Sequence, residues 1–298
     1  MRPCIALCVG HLANHHMGEM KEQGEVVKRQ QMVAIVSEMI HTASLVHDDI
    51  LDHAETRRGK ESINVKWDIR KSTMAGDFIL SVGSKLLSQV GDKEVVVILS
   101  QVLADLVQGE FQQLENKNDE SRFEHYLSKS FNKTASLMAY SCRANAVLAG
   151  VNTNMAEQAF QYGRNIGIAF QLVDDLLDFI VSADQLGMIV DIEDGDEKYV
   201  ISGKPAAADL KLGLATAPVL FAAEKFPELN EMIGRRFEAE GDVERAFKLV
   251  QESGGLSETR DLAKKHCEAA IAALGHFSES KYKTALVDMC DKVLNRMK

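Results

Sequence analysis

The stretch Gln171-Leu-Val-Asp-Asp-Leu-Leu-Asp178 places three aspartates inside an apolar run. Asp174 and Asp178 are four residues apart, and Gln171 stands three before Asp174, so on a helix the three side chains share one face. Carboxylates this close together in apolar surroundings oppose each other's ionisation unless a cation is bound. Oxygen-only clusters suit Mg²⁺, which proteins hold through one or two carboxylates and substrate phosphates. The stretch therefore predicts half of a magnesium site on a long apolar helix.

The same pattern occurs earlier in the chain, at His47-Asp-Asp-Ile-Leu-Asp52. Asp48 and Asp52 are again four residues apart, and His41 stands seven before Asp48 on the same predicted face. One such pair is a weak signal, because acid pairs are common on exposed helix faces. Two pairs, each within an apolar helix, are poorly explained as solvated surfaces. We therefore predict that the two clusters face each other and hold Mg²⁺ ions around one diphosphate group.

Composition restricts the class of protein. The chain has 298 residues, of which 46% are hydrophobic and 26% charged, as in ordinary globular proteins. The formal net charge of −10 argues against nucleic acid as the main partner, so an anionic substrate would need metal ions and a local group of cations. The five cysteines show no CxxC spacing and are predicted to be reduced thiols. No apolar run reaches the roughly 20 residues of a membrane span.

Apolar residues recur at spacings of three and four along most of the chain, which predicts a single all-α domain over residues 1–298. Only four prolines interrupt it. Two segments are not expected to be helical: a charged loop at 55–62 and a long acidic stretch at 182–205. The predicted helices cover 3–16, 25–53, 71–90, 92–116, 121–150, 153–182, 206–225, 228–238, 242–253, 257–274 and 278–296.

Several side chains near the clusters have two interpretations. Arg57 and Arg58 follow Asp52 by five and six residues, so they either bind phosphate oxygens in the guanidinium fork geometry or belong to a solvated loop. Lys133, followed by Thr134, lies on an apolar helix, where a lysine either contacts a ligand or extends to solvent. Phe170 could stabilise an allylic cation through its ring face, although a core phenylalanine is the more common case.

These motifs resemble those of a known family, the all-trans polyprenyl diphosphate synthases. The similarity is strongest to the long-chain type, in particular the animal and fungal subunit that makes the ubiquinone side chain. The segments that carry it are Leu45–Asp52, Arg57–Lys60, Met74–Asp77, Lys133-Thr134, Phe170–Asp178 and Asp209–Pro218.

The resemblance implies an isoprenoid-synthase-type bundle of long helices around a central cavity. It implies a Mg²⁺-dependent prenyltransferase that condenses isopentenyl diphosphate onto an allylic diphosphate, and a mitochondrial location. Catalytic roles are implied for Asp48, Asp52, Asp174, Asp175 and Lys133. The implied metal ligands are Asp48, Asp52, Asp174, Asp175 and Asp178. The allylic diphosphate would be contacted by Arg57, Lys133, Thr134, Gln171 and Lys204, and isopentenyl diphosphate by Arg2, His41 and Arg58.

Chain length in this family is set one helical turn before the first aspartate cluster. Members with short products carry a bulky aromatic residue five positions before the first aspartate. Here Ala43 occupies that position and is followed by Ser44. Five residues correspond to about 7.5 Å of helix. Small side chains there predict an open tunnel and a long product, unless they serve only close helix packing.

The sequence departs from the family pattern in three places. Family members carry a Gly-Lys shortly before Arg2-Pro3, so we expect an upstream segment to be missing. About 16 residues, 188–203, form an extra acidic stretch that is expected to be a flexible insert. Leu214 stands where many members have lysine. The ubiquinone-type subunits also lack that lysine, and such subunits often need a second, divergent partner. A hetero-oligomer and a homodimer are both consistent with this pattern.

Two other functions fit part of the sequence. A non-catalytic subunit would usually have lost one aspartate cluster, and a class I terpene cyclase usually has a mixed Asn/Ser/Glu second metal site. Both clusters are intact here, which favours the synthase. Its apolar product predicts loose contact with a membrane surface.

Overall fold

Long α-helices form most of the described chain, and the all-α prediction is confirmed. The computed structural model describes residues 1–18, 24–114, 122–185, 210 and 213–297. The predicted insert 188–203 and Lys204 lie outside these residues. The helices are α1 (Arg2–His16), α2 (Glu25–Leu51), α3 (Ile63–Trp67), α4 (Ile69–Gln89), α5 (Lys93–Leu114), α6 (Arg122–Ser130), α7 (Ser136–Leu148), α8 (Thr153–Gln185), α9 (Ala217–Lys225), α10 (Glu228–Gly234), α11 (Asp242–Ser253), α12 (Gly255–Leu274) and α13 (Lys281–Leu294).

The predicted helix at 121–150 is divided by a π-helical turn. The turn comprises Phe131–Ala135 and separates α6 from α7. A π-turn adds one residue to a helical turn and is common at functional sites. Lys133 and Thr134 lie in this turn, so the irregularity determines where the two side chains point.

The charged segment after the first cluster is a small hairpin, and its prediction as a loop is wrong there. Strands β1 (Thr56–Arg57) and β2 (Lys60–Glu61) pair antiparallel. Arg58 and Gly59 between them have φ values of 53° and 74°. Two successive positive φ angles are typical of the type I′ turn that matches the twist of a hairpin. The hairpin directs Arg57 back toward α2.

The predicted helix at 206–225 is interrupted. Leu210 is helical, whereas 213–216 are not, and α9 starts at Ala217. Pro218 stands in the first turn, where its missing N–H costs no intrahelical hydrogen bond. The start of α9 is therefore set by proline.

Helix α8 lies in the main hydrophobic core and approaches α7 closely. Tyr162, Ile166 and Leu172 on α8 are fully buried. A Cβ atom on Gly167 would lie 2.6 Å from the Cα atom of Ala135, and one on Gly163 would lie 2.7 Å from backbone atoms of α7. Glycine at these positions lets α8 contact the π-turn and places the second aspartate cluster beside Lys133 and Thr134.

A buried amide network joins α1, α2 and α7. The Gln30 side chain donates to the backbone oxygen of Asn145 at 3.0 Å and accepts from Nδ2 of Asn14 at 2.9 Å. Buried polar groups that are satisfied in this way specify one arrangement of the helices around them. The network fixes the helix that carries the first aspartate cluster. Over the described ranges, no helix is both long and apolar enough to cross a membrane.

Candidate active site

Residues from both aspartate clusters line one cavity. Its volume is about 210 Å³, and Asp52 and Asp175 both contribute to its wall. Further wall residues come from the π-turn, α6, α8 and the segment before α9: Tyr126, Lys133, Thr134, Gln171, Leu214 and Thr216. The fold therefore brings together two sequence motifs that are far apart along the chain.

The first cluster is acidic and partly shielded from solvent. Burial raises the pKa of Asp48 to about 6, and the carboxylates of Glu110 and Asp52 act in the same direction. The cationic Lys133 and Arg57 oppose that rise. Partial burial also raises the pKa of Asp52, which caps the C-terminus of α2. Two carboxylates that resist ionisation beside each other favour a bound cation.

The middle aspartate of the first cluster binds protein, and sequence reasoning did not single it out. Asp49 is buried and accepts from Nε of Arg57 at 2.7 and 2.8 Å and from its Nη2 at 2.6 Å. This forked hydrogen bond raises the pKa of Arg57. Arg57, predicted to contact diphosphate, is thus held at the cluster through Asp49.

The middle aspartate of the second cluster is also directed inward. Asp175 is buried and accepts from Tyr126 Oη at 2.6 Å, Gln171 Nε2 at 2.8 Å and the Ala217 backbone N–H at 3.3 Å. Burial raises its pKa although these three donors oppose that rise. Asp178 is buried as well. Asp175, predicted to be a metal ligand, is engaged on both carboxylate oxygens by protein donors.

Hydrogen bonds join the π-turn to α5 and to the second aspartate cluster. Thr134 Oγ1 donates to Gln171 Oε1 at 2.8 Å, and Gln171 in turn donates to Asp175. Lys133 Nζ donates to Gln113 Oε1 at 2.9 Å and to Glu110 Oε1 at 2.7 Å. The predicted ligands Lys133, Thr134 and Gln171 thus lie in one connected arrangement.

Glu110 and Gln113 are site residues that sequence reasoning missed. They stand three apart on α5, so they share a face and both reach Lys133. Their spacing near the end of an otherwise apolar helix is the sequence pattern that could have indicated a role in the site.

A second group of cations surrounds His41. Arg2 Nη1 lies 2.8 Å from His41 Nε2. Burial lowers the pKa of His41 to about 4, and the positive charges of Arg2, Arg58 and Arg57 lower it further. His41 is therefore neutral near pH 7, so its Nε2 accepts the hydrogen bond. Arg2 Nε is buried and has no hydrogen-bond partner among the described residues. This group retains an unsatisfied donor and suits an anion.

Phe170 contacts arginine side chains. The guanidinium carbon of Arg296 lies 4.2 Å from the ring centre, and that of Arg2 lies 5.9 Å from it. Arg296 Nη1 also donates to Asp174 Oδ1 at 2.8 Å. The ring was proposed to face a carbocation, whereas here it carries two cationic side chains. Sequence reasoning missed Arg296 because nothing local links the C-terminus to α8.

The predicted chain-length residues lie on α2 before the first cluster. Ala43 is fully buried. Ser44 Oγ donates to the backbone oxygen of His41 at 3.0 Å, within its own helix. Full burial of Ala43 means that no water-sized space lies beside its side chain, which agrees with the close-packing alternative.

The donor chemistry of the clusters fits Mg²⁺. Among the described residues, no group of three or more His, Cys, Asp or Glu side chains could hold a metal unaided. Mg²⁺ does not need one, because it usually takes one or two carboxylates and completes its shell with water and substrate phosphates. Asp48 on α2 and Asp174 on α8 provide carboxylates of this kind.

An all-α bundle with two aspartate clusters at one cavity and cations beside it defines a class of enzymes that use metal ions and diphosphates. Comparison with known proteins gives the family. The polyprenyl synthetase family model matches residues 1–201, and the chain belongs to this family. The predictions of a long-chain all-trans polyprenyl diphosphate synthase and of a trans-prenyltransferase are confirmed.

Named relatives agree with this assignment. Human all trans-polyprenyl-diphosphate synthase PDSS1 is 46% identical over 298 residues, which are all of this chain and 67% of the relative. A probable mitochondrial hexaprenyl pyrophosphate synthase of Yarrowia lipolytica is 45% identical over 284 residues, 93% of this chain and 59% of the relative. Among solved structures, a Caulobacter crescentus polyprenyl synthase complexed with calcium and isoprenyl diphosphate is 32% identical. Its TM-score is 0.82, and the match covers 100% of this chain and 84% of that one.

Proposed function

We propose that the protein condenses isopentenyl diphosphate repeatedly onto an allylic primer, farnesyl or geranylgeranyl diphosphate, with Mg²⁺, to give a long-chain polyprenyl diphosphate. The observation that carries this proposal is the shared cavity, in which Asp52 and Asp175 lie with Lys133, Thr134 and Gln171. The cations around Arg2 and His41 supply a second anion site nearby. Two diphosphate substrates need two such sites.

The allylic diphosphate is assigned to the cavity between the clusters. Bound Mg²⁺ would neutralise the leaving diphosphate, and Asp48, Asp52, Asp174 and Asp178 would hold the ions. Lys133 would give up its contacts with Glu110 and Gln113 and donate to diphosphate oxygens instead. The lysine ammonium group can do this because its three donors rotate freely. The resemblance adds Lys204 to this group.

The middle aspartates are assigned a positioning role. Asp49 orients the guanidinium group of Arg57 by binding its Nε and Nη2. The third guanidinium nitrogen of Arg57 would then face the diphosphate. Asp175 orients Gln171 and, through it, Thr134. Both carboxylates are buried and already satisfied by donors, so they fix the geometry of ligands on either side of them.

Isopentenyl diphosphate is assigned to Arg2, His41 and Arg58. Neutral His41 can accept from Arg2 and leaves the remaining guanidinium donors, including the unpartnered Nε, for phosphate oxygens. The positive field that lowers the pKa of His41 would equally favour an anion there.

The product is proposed to be a ubiquinone side-chain precursor made in mitochondria. This follows the resemblance to the ubiquinone-type subunit and the mitochondrial name of the Yarrowia relative. Leu214 lines the cavity where many family members have a lysine, which removes one cation from its wall. That loss supports a second subunit, and the apolar product supports contact with a membrane surface.

One assay tests the proposal. The purified chain, alone and with a candidate second subunit, is incubated with labelled isopentenyl diphosphate, farnesyl diphosphate and Mg²⁺, and the dephosphorylated products are separated by chain length. We expect polyprenols longer than the primer, and no such products when a chelator removes the metal. The turnover rate should fall by about a hundredfold or more in Asp48→Asn and in Asp174→Asn. Asp261→Asn, on the exposed side of α12, is the matched control and should retain activity.

Two results would contradict the proposal. Folded chain that gives no elongation under any condition excludes the prenyltransferase assignment. A hydrocarbon released from the allylic diphosphate alone would identify a terpene cyclase instead.

A further inference from the structure

The C-terminal turn reaches the second aspartate cluster. The 3₁₀ turn Asn295–Met297 follows α13 and carries Arg296, whose Nη1 lies 2.8 Å from Asp174 Oδ1. The same guanidinium stacks on Phe170 at 4.2 Å. Phe170 and Asp174 are four residues apart on α8, so they are neighbours on one face and hold Arg296 from two sides.

This contact places a cation on a carboxylate that the proposed function assigns to Mg²⁺. A guanidinium and a metal ion cannot both occupy the inner side of one carboxylate oxygen at contact distance. The Asp174 and Arg296 side chains are 29% and 34% exposed, so solvent screens the pair and it can exchange. The competing cation comes from the chain itself and lies on a single short turn.

We propose that Arg296 is a positioning residue that occupies the metal side of Asp174 in the empty site and is displaced when Mg²⁺ and a diphosphate bind. This inference rests on the proposed metal site. By linkage, the factor by which Arg296 weakens metal binding equals the factor by which metal weakens the attachment of the C-terminal turn.

The structure also indicates where the displaced guanidinium goes. Arg2 lies against the same ring, 5.9 Å from its centre, and has an unpartnered buried nitrogen. The isopentenyl diphosphate that the proposed function assigns to Arg2 would therefore offer Arg296 an alternative anion once Asp174 has bound metal.

Metal affinity gives the first test. Mn²⁺ binding is measured by electron paramagnetic resonance, with inorganic diphosphate present and no prenyl substrate, in the full chain and in Arg296→Gln. We expect Mn²⁺ to bind about twofold to fivefold more tightly in Arg296→Gln, the range of a screened ion pair. Arg296→Lys keeps the charge without the planar stack and should lie between the two. Lys292→Gln removes a nearby exposed positive charge on α13 and should leave the affinity unchanged.

Hydrogen exchange gives the second test. Exchange at residues 295–297 should rise when Mn²⁺ and inorganic diphosphate are added together to the wild-type chain. A purely structural Arg296 would not produce this rise. In Asp174→Asn exchange should already be fast and should no longer respond to metal.

The outcomes separate this inference from the proposed function. Metal binding that depends on Asp174 but is unchanged in Arg296→Gln overturns the role of Arg296 and leaves the metal site intact. A wild-type chain that binds no Mn²⁺ with diphosphate overturns both.

Discussion

At the scale of single residues, the two aspartate clusters follow the same plan. In each cluster the outer aspartates stand four residues apart, and the middle one, Asp49 or Asp175, accepts hydrogen bonds from protein donors. An acid pair i, i+4 shares a helix face and its neighbour at i+1 points elsewhere, so the plan follows from helix geometry. The outer residues were predictable from spacing for that reason. The partners of the middle ones were not, because Arg57 returns through a hairpin and Tyr126 comes from a distant helix.

The raised pKa of Asp48 predicts how metal binding depends on pH. Its carboxyl has a pKa of about 6, and only the ionised form binds Mg²⁺. Apparent Mg²⁺ affinity, measured by titration between pH 5 and pH 8, should fall by up to about tenfold per unit below pH 6. Affinity that is constant from pH 5 to pH 7 would contradict the assignment of Asp48.

A histidine variant provides the control for this pH dependence. The pKa of His41 is about 4, so His41 stays neutral across the range and His41→Gln should keep the transition near pH 6. The stability of the metal-free chain should change in the opposite sense. Because folding raises the pKa of Asp48, the folded state binds its proton more tightly, and this contribution to stability is lost as the pH rises from about 4 through 6.

Product length is predicted to depend on Ala43. A phenylalanine there would add bulk to a fully buried position one helical turn before Asp48. If the growing chain passes this point, Ala43→Phe should shorten the product by several isoprene units, as read by chromatography of the dephosphorylated polyprenols. Ala34→Phe, at another buried alanine nine residues earlier on α2, controls for overpacking. An unchanged length in a folded, active Ala43→Phe would exclude the tunnel.

At the scale of elements, the close contact between α8 and the π-turn positions Thr134 beside Gln171, two of the side chains proposed to bind diphosphate. Long helices with apolar periodicity were predictable, and ten of the eleven predicted helices agree with described ones, apart from their ends and the π-turn. The π-turn was not predictable, since it depends on one extra residue in a helical turn. The hairpin was not predictable either, since its turn needs a positive φ at Arg58, which is not a glycine. The start of α9 was missed although Pro218 marks it.

A single methyl group is predicted to disturb this contact. A Cβ on Gly167 would lie 2.6 and 2.7 Å from two atoms of Ala135, so the backbones must separate. Gly167→Ala should lower the free energy of unfolding by about 1–3 kcal/mol. It should also lower kcat by roughly tenfold or more, because the Gln171–Thr134 hydrogen bond spans the same contact. Thermal unfolding and steady-state kinetics measure the two effects.

Gly83 on α4 gives the matched comparison. A Cβ there would make ordinary contacts with Met39 at 3.7 and 3.9 Å. Gly83→Ala should therefore be neutral, or stabilising by up to about 1 kcal/mol through helix propensity. If both alanines had the same effect, close approach at Gly167 would not be the cause.

At the scale of the whole molecule, an apolar stripe on α4 stands exposed in the part of the chain that the structure describes. Met74, Phe78 and Val82 stand at i, i+4 and i+8 and are 61%, 69% and 40% exposed. Side chains at this spacing form one continuous surface, whereas isolated exposed apolar residues are ordinary. Such a stripe favours burial against another subunit, and a second copy of this chain is the simplest occupant.

Phe78→Asp should therefore weaken self-association. A charge in the middle of the stripe would have to be desolvated without a partner, so the variant is expected to elute as a monomer in size-exclusion chromatography with light scattering while the wild type elutes as a dimer. Met17→Asp, at an exposed methionine after α1, is the control and should remain dimeric. The wild type could instead be monomeric alone and form a complex only when a second prenyl synthase subunit is added. If Phe78→Asp also prevents that complex, the stripe is the interface of a hetero-oligomer and not of a homodimer. Dimerisation that Phe78→Asp leaves intact would place the interface elsewhere on the molecule.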